Sequence, residues 1–104
     1  MKTPFRKMHG LGNDFVVMDA RSRPLTLSTA QVIALADRHT GIGCDQIILL
    51  HHSAHADVRL EMFNADGSVL RGCGNATRCV GGLLMAETGR DKVLIETVSG
   101  DVCA

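Results

Sequence analysis

Leu70-Arg71-Gly72-Cys73-Gly74-Asn75-Ala76-Thr77-Arg78-Cys79-Val80-Gly81-Gly82-Leu83-Leu84-Met85-Ala86-Glu87-Thr88-Gly89 decides how this chain is read. A cysteine stands between two glycines, an asparagine follows, and an apolar run of helical length stops at another glycine. Asn75 suits an N-cap, because its side-chain oxygen can accept from the first free backbone N–H groups of a helix. Gly89 suits the end, because glycine takes the left-handed conformation cheaply. Between them Val80, Leu83, Leu84 and Met85 are apolar, whereas Gly81 and Gly82 bring no side chain. Each glycine costs a helix about 1 kcal/mol relative to alanine. Close packing against other backbone would offset that cost, so the stretch predicts a buried helix wrapped by sheet.

The free N–H groups at a helix start carry partial positive charge and favour anions. A thiolate is such an anion, and a helix N-terminus lowers a thiol pKa from its ordinary value of about 8.5. Gly72 and Gly74 leave the backbone bare on both sides of the sulfur, so a small carboxylate ligand has room to approach the same amides. A lone cysteine is more often a buried packing residue than a reactive one. The Gly-Cys-Gly-Asn setting favours the reactive reading, and Cys73 is the candidate catalytic residue. Cys79 lies inside the helix and reads as core.

Working outward, 104 residues suit one domain, with Lys+Arg and Asp+Glu equal at 11 each. That balance gives no footprint for nucleic acid or an anionic membrane. The absence of Trp and Tyr removes an aromatic platform for single-stranded nucleic acid. No apolar run is long enough to span a bilayer. The basic N-terminus is followed by no apolar core, unlike a signal peptide. The expected compartment is the cytoplasm, where thiols stay reduced and disulfides are not expected. Cysteines at 44, 73, 79 and 103 form neither a CxxC pair nor a zinc-ribbon spacing.

In chain order, Phe5 to His9 and Phe15 to Asp19 read as strands on either side of Gly10-Leu11-Gly12-Asn13-Asp14. That turn is no dinucleotide fingerprint, since a third glycine and a following helix are missing. Ser28 and Gln31 have the capping-box spacing and predict a helix from about Thr29 to Arg38. Thr40 to Gln46 is a second glycine-rich turn, leading into a buried strand, Ile47 to Leu50. Cys44 reads as packing, and Gln46 is placed to point a carboxamide at a ligand. His51 and His55 have the spacing of one helix face, but the segment reads as a loop without a nearby carboxylate pair, and no metal is expected. Val58 to Phe63 alternates, with Val58, Leu60 and Met62 on one face and Arg59, Glu61 and Phe63 on the other. Asn64-Ala65-Asp66-Gly67 predicts a tight hairpin that returns through Ser68 to Leu70 and brings Asn64 near the cysteine turn. Lys92 to Val98 and Val102 to Ala104 are further strands about a turn at Ser99-Gly100-Asp101.

Four stretches taken together resemble one family: Lys7-Met8-His9-Gly10-Leu11-Gly12-Asn13-Asp14-Phe15, Gly43-Cys44-Asp45-Gln46, Phe63-Asn64-Ala65-Asp66-Gly67-Ser68 and Cys73-Gly74-Asn75-Ala76-Thr77-Arg78-Cys79. They are similar, in order and over essentially the whole chain, to the N-terminal half of the diaminopimelate epimerases. Proline racemase and phenazine-biosynthesis isomerases share that fold. The resemblance implies an α+β fold of two similar lobes, each a curved mixed β-sheet around a central helix, with residues 1–104 forming the N-terminal lobe.

It also implies a cofactor-independent isomerase that interconverts LL- and meso-diaminopimelate on the bacterial route to lysine and peptidoglycan. By that resemblance Cys73 is the first catalytic cysteine. Asn13, Gln46 and Asn64 hold the substrate, and Gly74 and Asn75 cradle its reacting carboxylate. The family's second cysteine, in an Ala-Cys-Gly-Ser-Gly-like motif, has no match here, and Cys103 does not fit it. The chain is therefore expected to carry half a site and to need a C-terminal lobe, with a homodimer left open. The competing readings are a non-catalytic amino-acid-binding or assembly module related to the epimerases, and a metal-binding protein using the His51–His55 cluster.

Overall fold

The computed structural model describes residues 5–9, 14–21, 26–70, 74–98 and 100–103, with backbone alone at His9, 74–76 and Cys103. The elements run β1 (Phe5–His9), β2 (Asp14–Asp19), α1 (Thr29–Ala36), β3 (Gln46–His51), β4 (Val58–Asn64), α2 (Gly74–Thr88), β5 (Leu94–Thr97) and β6 (Gly100–Cys103). All six strands form one sheet in chain order. The pairing alternates: β1–β2 antiparallel, β2–β3 parallel, β3–β4 antiparallel, β4–β5 parallel and β5–β6 antiparallel. This is an α+β fold built on a mixed sheet, as the resemblance implied.

The interior strands β2 and β3 are apolar on both sides because both of their faces are covered. Phe15, Val17, Ile48 and Leu50 enter a core with Val58, Leu60 and Met62 of β4, Val80 and Leu84 of α2, and Val93 and Ile95. Met8 of β1 packs against the same cluster, so residues of β1 through β5 surround α2. The alternate residues Val16, Met18, Ile47, Leu49 and Phe63 face the other way and meet Val32 and Ala36 of α1. The alternation expected for β4 is thus observed, with Phe63 in the α1 core and Val58, Leu60 and Met62 in the α2 core.

Helix α1 starts as its sequence requires. Ser28 Oγ accepts from the Gln31 N–H at 3.2 Å, and Gln31 Oε1 accepts from the Ser28 N–H at 2.8 Å. It stops at Ala36, earlier than expected, because the Asp37 carboxylate accepts from the N–H groups of His39 and Thr40 and turns the chain. Helix α2 ends as expected: Gly89 adopts φ +71° and its N–H reaches the Met85 carbonyl at 2.9 Å.

Three expectations need correction. The helix begins at Gly74, so Asn75 lies in its first turn and is not the N-cap. Gly81 is buried, but Gly82 is exposed and a Cβ there would meet nothing within 4 Å, so close backbone packing does not explain Gly82. What offsets the glycine cost is the burial of Val80 and Leu84, each contributing about 1.5–3 kcal/mol. Finally, Ser68 to Leu70 is no full strand. It makes one bridge, Val69 to Phe63, and a bond from the Leu70 N–H to the Met62 carbonyl at 2.8 Å.

Candidate functional site

The strand registers gather the singled-out residues at one end of the sheet. β1 finishes there at His9, β2 begins at Asp14, β3 begins at Gln46 and β4 finishes at Asn64. Gln46 and Asn64 are direct register partners across β3 and β4. Each is two residues from an α2-facing core side chain, Ile48 and Met62 respectively, so both share the α2 face of the sheet. Both are half-buried. Helix α2 starts four residues beyond Leu70, whose backbone is tied to Met62 at this same end. The first-turn amides of a helix have no partners within the helix, and here that turn includes Gly74 and Asn75. Asn13 and Cys73, and the side chain of Asn75, lie outside the described residues.

Asn64 is held by its own turn. Its Nδ2 donates to Ser68 Oγ at 3.0 Å, and Ser68 Oγ donates to Asp66 Oδ1 at 2.6 Å. These bonds to Ser68 keep the Asp66 carboxyl below its usual range. Gly67 closes the turn at φ +88°, with its N–H donating to the Asn64 carbonyl at 2.9 Å. A side chain at Gly67 would also crowd the Thr29 carbonyl at 3.2 Å.

Sequence reasoning missed a charged cluster beside these residues. The Asp45 N–H donates to Asp14 Oδ1 at 2.9 Å, and the Asp14 N–H donates to Asp45 Oδ2 at 3.1 Å. Arg38 donates through both terminal nitrogens to Asp14, at 3.1 and 2.9 Å, and reaches Asp45 Oδ1 at 3.2 Å. Lys7 Nζ lies 3.3 Å from Asp14 Oδ2. The Arg38 hydrogen bonds hold the Asp14 carboxyl far below the usual carboxylate range, against the opposing effect of burial. Acids at the starts of two neighbouring strands were visible in the sequence. Their cation was not, since Arg38 stands 24 residues from Asp14.

The other thiols and the histidines go elsewhere. Cys44 is buried in the α1 core, and burial pushes its thiol pKa up, which suits packing and not nucleophilic work. Cys79 packs against the α2 core but is only partly buried. His51 is the last residue of β3, not part of a loop, and its Nε2 lies 3.0 Å from Glu61 Oε1. His55 Nε2 lies 3.0 Å from Asp101 Oδ2, and that carboxylate raises its pKa. Carboxylates absent from the local sequence are therefore delivered by β4 and β6, but to different rings. Among the described residues no group of three His, Cys, Asp or Glu side chains is placed to hold a metal ion. A cleft of about 230 Å³ opens at the opposite end of the sheet, lined by Phe5, Val17, Leu50, Leu83 and the Arg21–Glu87 pair, and neither Gln46 nor Asn64 reaches it. No helix among the described residues is long and apolar enough to cross a membrane.

Comparison with known proteins gives a consistent result. A family model described as diaminopimelate epimerase matches residues 5–104. The chain is 57% identical over 98 residues to the diaminopimelate epimerase of Rhodospirillum centenum, covering 92% of this chain and 34% of that protein. It is 53% identical over 104 residues to the diaminopimelate epimerase of Phenylobacterium zucineum, covering 100% of this chain and 38% of that one. It thus spans about a third of the length of the curated relatives it matches. Among solved structures, a phenazine biosynthesis protein of the PhzF family from Bacillus anthracis superposes with a TM-score of 0.64 at 25% identity, covering 99% of this chain and 36% of that one. One from Enterococcus faecalis superposes with a TM-score of 0.71 at 14% identity, covering 99% and 40%, which speaks to the fold alone.

Proposed function

The chain belongs to the diaminopimelate epimerase family, and from that premise we propose that it contributes the first half of a cofactor-independent epimerase site acting at Cα of diaminopimelate. The observation that carries the reading is the convergence of Gln46, Asn64 and the start of α2 at one end and on one face of the sheet. In this reading Cys73 is one acid/base. Gly74 and Asn75 present first-turn amides to the carboxylate on the reacting carbon, and Asn13, Gln46 and Asn64 hold the polar groups of the substrate.

The chemistry needs two such groups. The Cα hydrogen of an amino acid is a very weak acid, so its removal must be coupled to stabilisation of the charge left behind. Amides fixed at a helix start provide that stabilisation without reorganising, and more strongly in a dry site than in water. A thiolate on one face takes the Cα proton, and a thiol on the other face delivers its own to the same carbon. No bond other than C–H and S–H is made or broken, and no electrons leave the substrate. The second thiol belongs to the two thirds of the family's length that this chain does not span. A reaction that needs free thiols suits the reducing cytoplasm, and the product feeds lysine biosynthesis.

The test joins this chain to the remaining two thirds of the Rhodospirillum centenum relative and follows exchange of the diaminopimelate Cα hydrogen in heavy water. Exchange is expected, and Cys73→Ala should lower its rate on the order of a thousandfold. Absence of exchange in the unmodified fusion would favour a non-catalytic binding or assembly module. Exchange undiminished by Cys73→Ala would remove this cysteine from the reaction.

A further inference from the structure

We propose that the Arg38–Asp14–Asp45 cluster is a clasp that positions Gln46 for substrate, a role that rests on the epimerase reading above. Asp14 and Asp45 each use a carboxylate to accept the other's backbone N–H, at 2.9 and 3.1 Å. A second bond runs from the Asp45 N–H to the Asp14 carbonyl at 3.1 Å. Together they close β2 against β3 one position before the first register pair, Phe15 with Gln46. The backbone entering Gln46 is therefore fixed on the β2 side, while its pairing with Asn64 fixes it on the β4 side.

Two carboxylates so close repel each other unless cations lie between them. The Arg38 guanidinium meets three of their four oxygens, and Lys7 adds a second positive charge. Two negative and two positive charges are thus balanced on one corner of the sheet. Arg38 comes from the segment after α1, so it also ties that segment to the strand starts. Among the described residues its side-chain hydrogen bonds go to Asp14 and Asp45, not to Gln46 or Asn64. It acts by holding the loop that ends in Gln46, and a misplaced binding group costs affinity well before it costs folding.

The experiment is a double-mutant cycle in the fusion protein, read as KM and kcat for diaminopimelate. Arg38→Gln should raise KM roughly tenfold and change kcat little, because binding and not the proton step is disturbed. Arg38→Lys should recover little, since lysine keeps the charge but not the two-pronged geometry. The combination of Arg38→Gln with Gln46→Ala should be no worse than Gln46→Ala alone, because the arginine works through that carboxamide. A purely structural role would give additive losses, or losses in kcat, and would overturn the proposal. If Arg38→Gln does not fold, the cycle with Arg38→Lys decides in the same way. Amide hydrogen exchange on the isolated chain gives a readout independent of activity: Arg38→Gln should speed exchange at Asp45 at least tenfold. Unchanged exchange would sink the clasp, whereas an inactive unmodified fusion would sink the epimerase reading instead.

Discussion

The two ends of the sheet are each held by an arginine between two carboxylates, but the contacts differ in kind. At the end that starts β2 and β3, Arg38 meets Asp14 and Asp45, and both of those carboxylates also accept backbone N–H groups. At the far end Arg21 meets Asp19 at 2.8 Å and Glu87 of α2 at 2.9 Å, all three side chains being partly exposed. Among the described residues, the one backbone N–H that Asp19 accepts is that of Arg21, two residues away. The first arrangement fixes strand against strand; the second leans a helix end on a strand end. Geometry that must be accurate is built where side chains grip backbone, and the far end can tolerate slack.

The largest expected contrast is between two glycines. Gly41 sits in the segment folded back on α1, and a Cβ there would collide with the Ala34 carbonyl and lie 2.7 Å from the Leu35 carbonyl oxygen. Both obstacles are backbone, so Gly41→Ala should destabilise by roughly 3 kcal/mol in urea unfolding. Gly89 at the far end has φ +71° but open space around it, so Gly89→Ala should cost only about 1 kcal/mol. Equal losses would break the contrast between a tight end and a loose one.

Acid titration sharpens it further. The Asp14 pKa is lowered in the folded chain, so the unfolded chain binds the extra proton first. The stability from this group is present above the ordinary carboxylate value of about 3.9 and is lost as pH falls below it. Asp14→Asn should cost about 1.5 kcal/mol at neutral pH and flatten the acid limb of the stability curve. An acid limb unchanged by the substitution would mean that the cluster is not held by charge. The smallest effect belongs to the far end. Arg21→Ala should cost about 0.5–1 kcal/mol and fade with added salt. A larger loss would put the two ends on a par.

The fold was legible where sequence pattern and burial coincide. The capping box at Ser28, the alternation of β4 and the closing Gly89 are local signals, and each appears in the structure as its residues require. Helix α2 was found, but its start was read two residues late: with Asn75 as the cap the first helical residue would be Ala76, whereas the helix begins at Gly74. The placement of Gln46 beside Asn64 was not readable, since register across strands depends on long-range pairing. The Arg38 clasp was invisible for the same reason: its members meet only once β2, β3 and the segment after α1 are assembled. The motif residues Asn13 and Cys73 were read from the sequence and from resemblance, and they lie outside the described residues.

Strand order that repeats chain order has a consequence for how the molecule comes into being. Each new strand finds its partner among residues already made, so no edge waits for a segment still inside the ribosome. Each closure joins strands adjacent in the chain, directly or across one helix, so its entropy is met one hairpin or crossover at a time. Such a sheet can take shape during synthesis, strand by strand, with Gln46 and Asn64 side by side as soon as β4 is made.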